Sequence, residues 1–308
     1  MSLLTYIHGE KLLDRITDRI RSFVDRHELV YLFVSGGKDS ALLLLATSYL
    51  PEELRKKLIV VYTEIVENTH QMNIEQAYSL IQRLLPEAME RVERVDAVRQ
   101  NMVRVASMRI QPPAMIHIRA HNHDYQGKTF LDTMEMLGIG CVRASYARNP
   151  MEKRWCMLQF KYKWWTELRA IKGIRPLIVG VKTSDSIGRQ RRWKDVDPNM
   201  PVKTFDTPRG LELHLAPLVD MTSAEVTALL RQYNIVLRTY EMYGDSLNCM
   251  FCPFRGKDKI PRCVEAMPMY FARRLLNTLR NLRSQSKFVR QVVEKWVPEL
   301  ERKLGVVE

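Results

Sequence analysis

Leu29-Val30-Tyr31-Leu32-Phe33-Val34 runs directly into Ser35-Gly36-Gly37-Lys38-Asp39-Ser40, which opens onto the apolar run from Ala41 to Tyr49. The first segment is rich in β-branched and aromatic residues and predicts a buried strand. The last predicts a helix. Between them, the two glycines let the backbone turn sharply and bring its amides close to an anion, and the helix start adds further amides and a favourable dipole. Ser35 and Ser40 can offer hydroxyls to phosphate, and Lys38 a mobile positive charge. Asp39 can hold a magnesium ion or cap the helix. The spacing is not that of the Walker loop, which needs Gly-x-x-x-x-Gly-Lys-Ser/Thr. A tight turn capped by Asp39 is the plain alternative, but a bare turn has no need of a lysine and two hydroxyls beside the glycines.

Outward from this loop, Leu58-Ile59-Val60-Val61-Tyr62 predicts a second buried strand, which with the first makes a right-handed βαβ unit. Leu13, Ile16, Ile20, Phe23 and Val24 space a helix over 10–27. Thr69 to Leu85 predicts another. The stretch 95–150, with Pro112-Pro113 and the glycines Gly138 and Gly140, reads as an irregular insertion holding one helix near 129–137. Lys153 to Ala170 predicts a helix, and Leu177 to Val181 a third apolar strand. Residues 184–212 are polar and basic and predict a mobile loop. Thr222 with Glu225 forms a capping-box signature for a helix up to Tyr233. Two basic helices near 264–283 and 285–304 end the sequence. The expected fold is α/β, a doubly wound, mostly parallel sheet flanked by helices with a C-terminal helical extension. The expected division is a nucleotide-binding domain over 1–235 and a cysteine-bearing segment with basic helices over 236–308.

The formal charge of +13 over 308 residues favours phosphate-bearing partners, either a polynucleotide or a small anionic nucleotide. No run of about 18 apolar residues is present, so no membrane partner is expected. No secretory leader is visible at residues 1–11, and a cytoplasmic location follows by default. The five cysteines are Cys141, Cys156, Cys249, Cys252 and Cys263. An odd count without a leader argues against a disulfide framework. Cys249-x-x-Cys252 precedes a proline, and Cys263 follows ten residues later. Four thiolates could bind an iron–sulfur cluster or zinc, or the cysteines could simply be buried thiols. Cys141 reads as an inert buried thiol, with a sulfur-carrying nucleophile as the lesser reading. His117, His121 and His123 alternate with Arg119 in a metal site or, more simply, a solvated loop. Trp164 and Trp165 could stack on bases or pack in the core.

Ser35 to Ser40 resembles the pyrophosphate loop of the adenine nucleotide alpha-hydrolase group, which includes ATP pyrophosphatases, tRNA thiolases and phosphoadenosine phosphosulfate (PAPS) reductases. Later stretches resemble the PAPS reductase-like family in order. They are Val61-Tyr62-Thr63-Glu64 with Glu67-Asn68-Thr69, Arg154-Trp155-Cys156 with Lys161, Gly180 with Ser184, Ser186 and the arginines Arg189, Arg191 and Arg192, Pro217-Leu218, and Cys249 to Cys252. The match spans about residues 28–256. It implies that ATP and magnesium bind at Ser35, Gly36, Gly37, Lys38, Asp39, Ser40, Thr63, Glu64, Gly180 and Arg191. Lys38, Asp39, Arg189 and Arg192 are then implied in catalysis. It also favours a [4Fe-4S] cluster over zinc on Cys156, Cys249, Cys252 and Cys263. The implied activity is adenylation of an acceptor for sulfur transfer. DNA or tRNA is the implied acceptor, and a cysteine desulfurase or another protein the sulfur donor. Sulfonucleotide reductases carry a catalytic cysteine in a C-terminal tail, and no cysteine follows Cys263 here, which weighs against the reductase reaction. A non-catalytic nucleotide- and nucleic-acid-binding subunit is the further alternative.

Overall fold

The computed structural model describes residues 3–107, 112, 114–137, 155–169, 175–207, 210–282 and 287–306. Val30–Val34 (β1) forms the expected strand and pairs in parallel with Leu58–Ile65 (β2), Val30 opposite Leu58 and Val34 opposite Tyr62. Side chains alternate across a strand, and here both faces are buried. Val30, Leu32 and Val34 join Val60 and Tyr62 under the helices Leu3–Asp25, Lys38–Ser48, Gln71–Leu84 and Ser223–Gln232. Tyr31, Ile59 and Val61 face the opposite core, with Phe271, Trp296 and Leu300 from the C-terminal helices. A strand buried on both faces must be apolar throughout, and the unbroken hydrophobic runs are the record of that.

The remaining strands are Val92–Ala97 (β3), Ala114–Ala120 (β4), Arg175–Ile178 (β5), Val202–Thr207 (β6) and Gly210–Leu215 (β7). The sheet order is β3-β4-β2-β1-β5-β7-β6, parallel except for the edge strand β6. This is the doubly wound, mostly parallel sheet that the sequence predicts. From β1 the chain winds outward through β2 and β4 on one side, then returns to lay β5 on the other. The loops after β1 and β5 therefore diverge, and a crevice opens at their carboxyl ends.

Two expectations fail for one reason. The 95–150 insertion contains β4 in the heart of the sheet, and the 184–212 loop contains the helix Ile187–Trp193 and the hairpin β6–β7. In each case a polar residue that suggested a loop is buried and satisfied. His117 on β4 is hydrogen-bonded to Glu64 at 3.0 Å and to Tyr78 at 2.8 Å. Glu212 on β7 meets His214 at 2.7 Å. His121 and His123 are likewise engaged by carboxylates, Asp96 at 3.7 Å and both Asp124 and Glu167 at just over 3 Å. Trp164 is buried, its indole N–H donating to the His121 carbonyl at 2.7 Å.

The end of the chain holds three helices rather than two: Ile260–Ala266, Met269–Arg280 and Lys287–Leu304. Pro268 makes the break, because a proline drives the residue before it out of the helical region, and Met267 stands at ψ 136°. No described helix is long and apolar enough to cross a membrane.

The Ser223–Gln232 helix carries the capping box that the sequence predicts. Thr222 accepts from the Glu225 amide at 3.2 Å, and the Glu225 carboxylate accepts from the Thr222 amide at 2.7 Å. Thr222→Ala is expected to cost about 1 kcal/mol of folding stability. Urea denaturation of the purified variant checks this.

Candidate functional site

The loop after β1 is built so that its carbonyls point away from its mouth. Gly36 has φ +70°, and a Cβ there would stand 2.5 Å from the Asn73 amide nitrogen, so only glycine fits. Asn73, on the Gln71–Leu84 helix, donates to the carbonyls of Ser35 at 3.1 Å and Ser246 at 2.7 Å, and accepts from the Tyr62 hydroxyl at 2.9 Å. Asn248 adds a second donor to the Ser35 carbonyl at 3.2 Å. Gln76 donates to the Gly36 carbonyl at 2.6 Å. The Gly37 carbonyl takes the Ser40 hydroxyl at 2.9 Å and the Ala41 amide at 3.0 Å. What a helix start leaves over is its amides, and these are the groups that receive an anion. Gly37 is the N-cap and Lys38 the first helical residue, so Asp39 does not cap the helix.

A cleft of about 370 Å³ lies at the β1/β5 divergence. Ser35, Gly37, Lys38, Asp39 and Ser40 line it on one side, and Gly180 and Arg189 on the other. Thr63 completes it with an aromatic wall in which Phe33 stacks on Trp165, ring centroids 3.5 Å apart, and the Trp165 indole N–H donates to Thr63 at 3.1 Å. Gly180 lets β5 approach, since a Cβ there would come within 3.2 Å of the Asp39 Cβ. Asp39 meets the buried Lys182 at 2.6 Å, and its other carboxylate oxygen is buried without a hydrogen-bond partner among the described residues. Burial lowers the Lys38 ammonium pKa. Asp39 offsets this, and Lys182 and Lys259 add to it. Burial, with the carboxylates of Asp245 and Asp39, pushes the Tyr240 phenol up to about 12, so it stays protonated beside the loop.

Three implied residues stand apart from the cleft. Arg191 and Arg192 share the Ile187–Trp193 helix with Arg189 but are exposed and do not line it. Glu64 is buried behind the wall against His117. Arg154 and Cys141 lie outside the described residues. Sequence reasoning missed Asn73, Gln76, Lys182, Tyr240 and Asn248. Only Lys182, which follows the Gly180 segment, carried any signal: a lone lysine at the end of an apolar strand run.

The cysteine turn is fastened to the same region. Asn68, just past β2, accepts from Met250 and Phe251 amides at 2.7 and 2.8 Å and donates to the Phe251 carbonyl at 3.1 Å. Lys161, in the π-helical stretch Leu158–Tyr162, donates to Asn248 at 2.6 Å. Cys156, Cys249 and Cys252 are partly buried and Cys263 fully so. Burial raises the Cys249 thiol and pushes Cys252 and Cys263 up to about 11. Cys156 adds to the rise at Cys249 and Cys252, as Cys249 does at Cys252 and Cys252 at Cys263. Arg255 opposes the rise at Cys249, Cys252 and Cys263; its guanidinium is held by Asp245 at 2.7 Å and the Cys249 carbonyl at 2.5 Å. Among the described residues no three His, Cys, Asp or Glu side chains stand close enough to hold a metal ion as they are.

No family model matches the sequence, and no curated protein matches it. Among solved structures, the chain is similar to phosphoadenylyl-sulfate (PAPS) reductase from Candida auris in its phosphate complex. The two share 11% identity at a TM-score of 0.42, over 79% of this chain and 93% of that one. A likeness of that size carries no argument about chemistry.

Asn73→Leu removes three hydrogen bonds at the back of the loop and takes away the acceptor of the buried Tyr62 hydroxyl. A loss of about 2–4 kcal/mol in folding stability is expected. Chemical denaturation measures it, with faster amide exchange expected at Gly36 and Gly37.

Proposed function

We propose that the cleft binds the phosphates of ATP and that the protein is an ATP pyrophosphatase that adenylates an acceptor for sulfur transfer. The observation that carries this reading is the loop itself. Its carbonyls are bonded away by Asn73, Gln76, Asn248 and Ser40, it opens a helix at Lys38, and Lys38 and Arg189 line the same cleft. In this mechanism an acceptor oxygen attacks the α-phosphate and pyrophosphate leaves, and the adenylate is then displaced by sulfur. There is little covalent work for the protein in the first step, and positioning and charge neutralisation supply the catalysis. Lys38 and Arg189 carry the charge. Phe33 and Trp165 offer a face on which an adenine ring can stack.

Magnesium fits at Asp39, whose unpartnered buried oxygen is a ready ligand; it would neutralise phosphate charge there. Cys156, Cys249, Cys252 and Cys263 would hold a [4Fe-4S] cluster, or zinc as the lesser occupant. The donor set fits in kind, four cysteines being the ligands that such a cluster or a structural zinc takes. A cluster supplies a place to hold or relay sulfur. Thiols kept reduced for such a group point to a reducing compartment, the cytoplasm. The acceptor is a nucleic acid, DNA or tRNA. The charge of +13 supports this, as do Arg191 and Arg192, exposed on the helix that brings Arg189 to the cleft. A desulfurase or similar protein would provide the sulfur.

Lys38→Ala is expected to weaken ATP binding by about ten- to a hundredfold, the worth of a charge-assisted hydrogen bond, with the melting temperature nearly unchanged. ATP–pyrophosphate exchange should disappear with it. Unchanged affinity in a folded variant would take the loop out of the site. Thioredoxin-dependent reduction of an adenylyl sulfate by the wild-type protein would instead establish a reductase.

Protein purified without oxygen is expected to be brown and to carry about four irons per chain. Serine at any one of Cys156, Cys249, Cys252 or Cys263 should bleach it, and Cys141→Ser should not. Metal analysis of the five variants decides between iron, zinc and neither.

A further inference from the structure

Lys182 has a side chain only 1% exposed, at the end of the β5 segment and beneath the phosphate loop. Its ammonium lies 2.6 Å from Asp39 and 3.2 Å from Asp185, and Asp185 is also paired with Arg189 on the cleft wall. A buried ammonium persists only when its charge is matched and hydrogen-bonded. The segment runs close to Asp39, since a Cβ at Gly180 would stand 3.2 Å from the Asp39 Cβ. The loop meanwhile presents a difficulty. Asp39 lines a cleft read as a polyphosphate site, and a carboxylate there repels the ligand it should receive.

We propose that Lys182 is a positioning residue that neutralises Asp39 from behind the loop, so that the cleft accepts a polyphosphate before any metal arrives. Asp185 completes the device by sharing Lys182 with Asp39 and holding Arg189 at the cleft wall. Lys182 does not line the cleft and acts through Asp39. This inference rests on the reading of the cleft as a phosphate site.

The test is calorimetric titration with inorganic pyrophosphate, in chelator and then with magnesium, on the wild type, Lys182→Met, Asp39→Asn and the double variant. In chelator, Lys182→Met should bind about tenfold or more weakly, since an uncompensated carboxylate then faces the ligand. The double variant should recover to within about threefold of wild type, because removing the carboxylate removes the repulsion. Asp39→Asn alone should bind at least as tightly as wild type without metal. Wild-type affinity in Lys182→Met overturns the proposal, as does a double variant as weak as Lys182→Met, which is what a merely structural lysine gives. Where Lys182→Met fails to fold, Asp39→Asn decides, and weaker metal-free binding overturns the proposal. Absence of pyrophosphate binding in the wild type removes the phosphate reading and this inference together. Binding that Lys38→Ala abolishes and Lys182→Met leaves intact removes this inference alone.

Discussion

The carboxamide of Asn73 ties the functional end of the molecule together. It reaches from the Gln71–Leu84 helix to the Ser35 carbonyl at the end of β1, to the Ser246 carbonyl in the segment before the cysteine turn, and to the Tyr62 hydroxyl on β2. A buried backbone carbonyl must find a donor. By supplying it from behind, Asn73 fixes the path of the loop between β1 and the helix that starts at Lys38. Gly36 is the corollary, since its positive φ and the 2.5 Å approach leave no room for a side chain. Gln76, one helical turn further on, repeats the arrangement at the Gly36 carbonyl and extends it to Thr239, whose amide it accepts and whose hydroxyl it meets.

The same constraint links the loop to the cysteines. Asn248 donates to the Ser35 carbonyl and accepts from Lys161, and it immediately precedes Cys249. Asn68 zips Met250 and Phe251 onto the end of β2. A cluster on these thiols and a nucleotide on the loop would therefore share supports, and displacement at one site would be felt at the other through a short chain of hydrogen bonds. The cores on the two sheet faces give that chain a rigid base. The helix that begins at Lys38 is buried among apolar side chains from Ala41 to Ala46, and the cysteine-bearing end packs through Phe251 onto Trp296, ring centroids 4.9 Å apart.

The loop, the strands β1 and β2, the helix between them and the capping box at Thr222 were legible in the sequence because each depends on short-range rules. A strand buried on both faces is a run of apolar residues, a glycine turn followed by a helix start is a local pattern, and a capping box closes within four residues. The basic cluster that holds Arg189 was legible as following an apolar strand, but its helix was not, because 184–212 reads as a loop. Nor was the separation of Arg189 from Arg191 and Arg192, since helical spacing turns neighbours in sequence onto different faces.

Composition, charge and local pattern thus determined an α/β fold with a glycine loop between its first strand and a helix, and a set of thiols downstream. Tertiary structure alone decided which polar residues were interior. His117 and Glu212 read as loop residues because an isolated polar side chain belongs in water, and Lys182 carried too little signal to be singled out. Each is buried because a partner distant in the chain meets it: Glu64 for His117, Tyr162 for Glu212, Asp39 for Lys182. The cost of burying a polar group depends on what meets it inside, and that is a property of the fold, absent from any window of sequence.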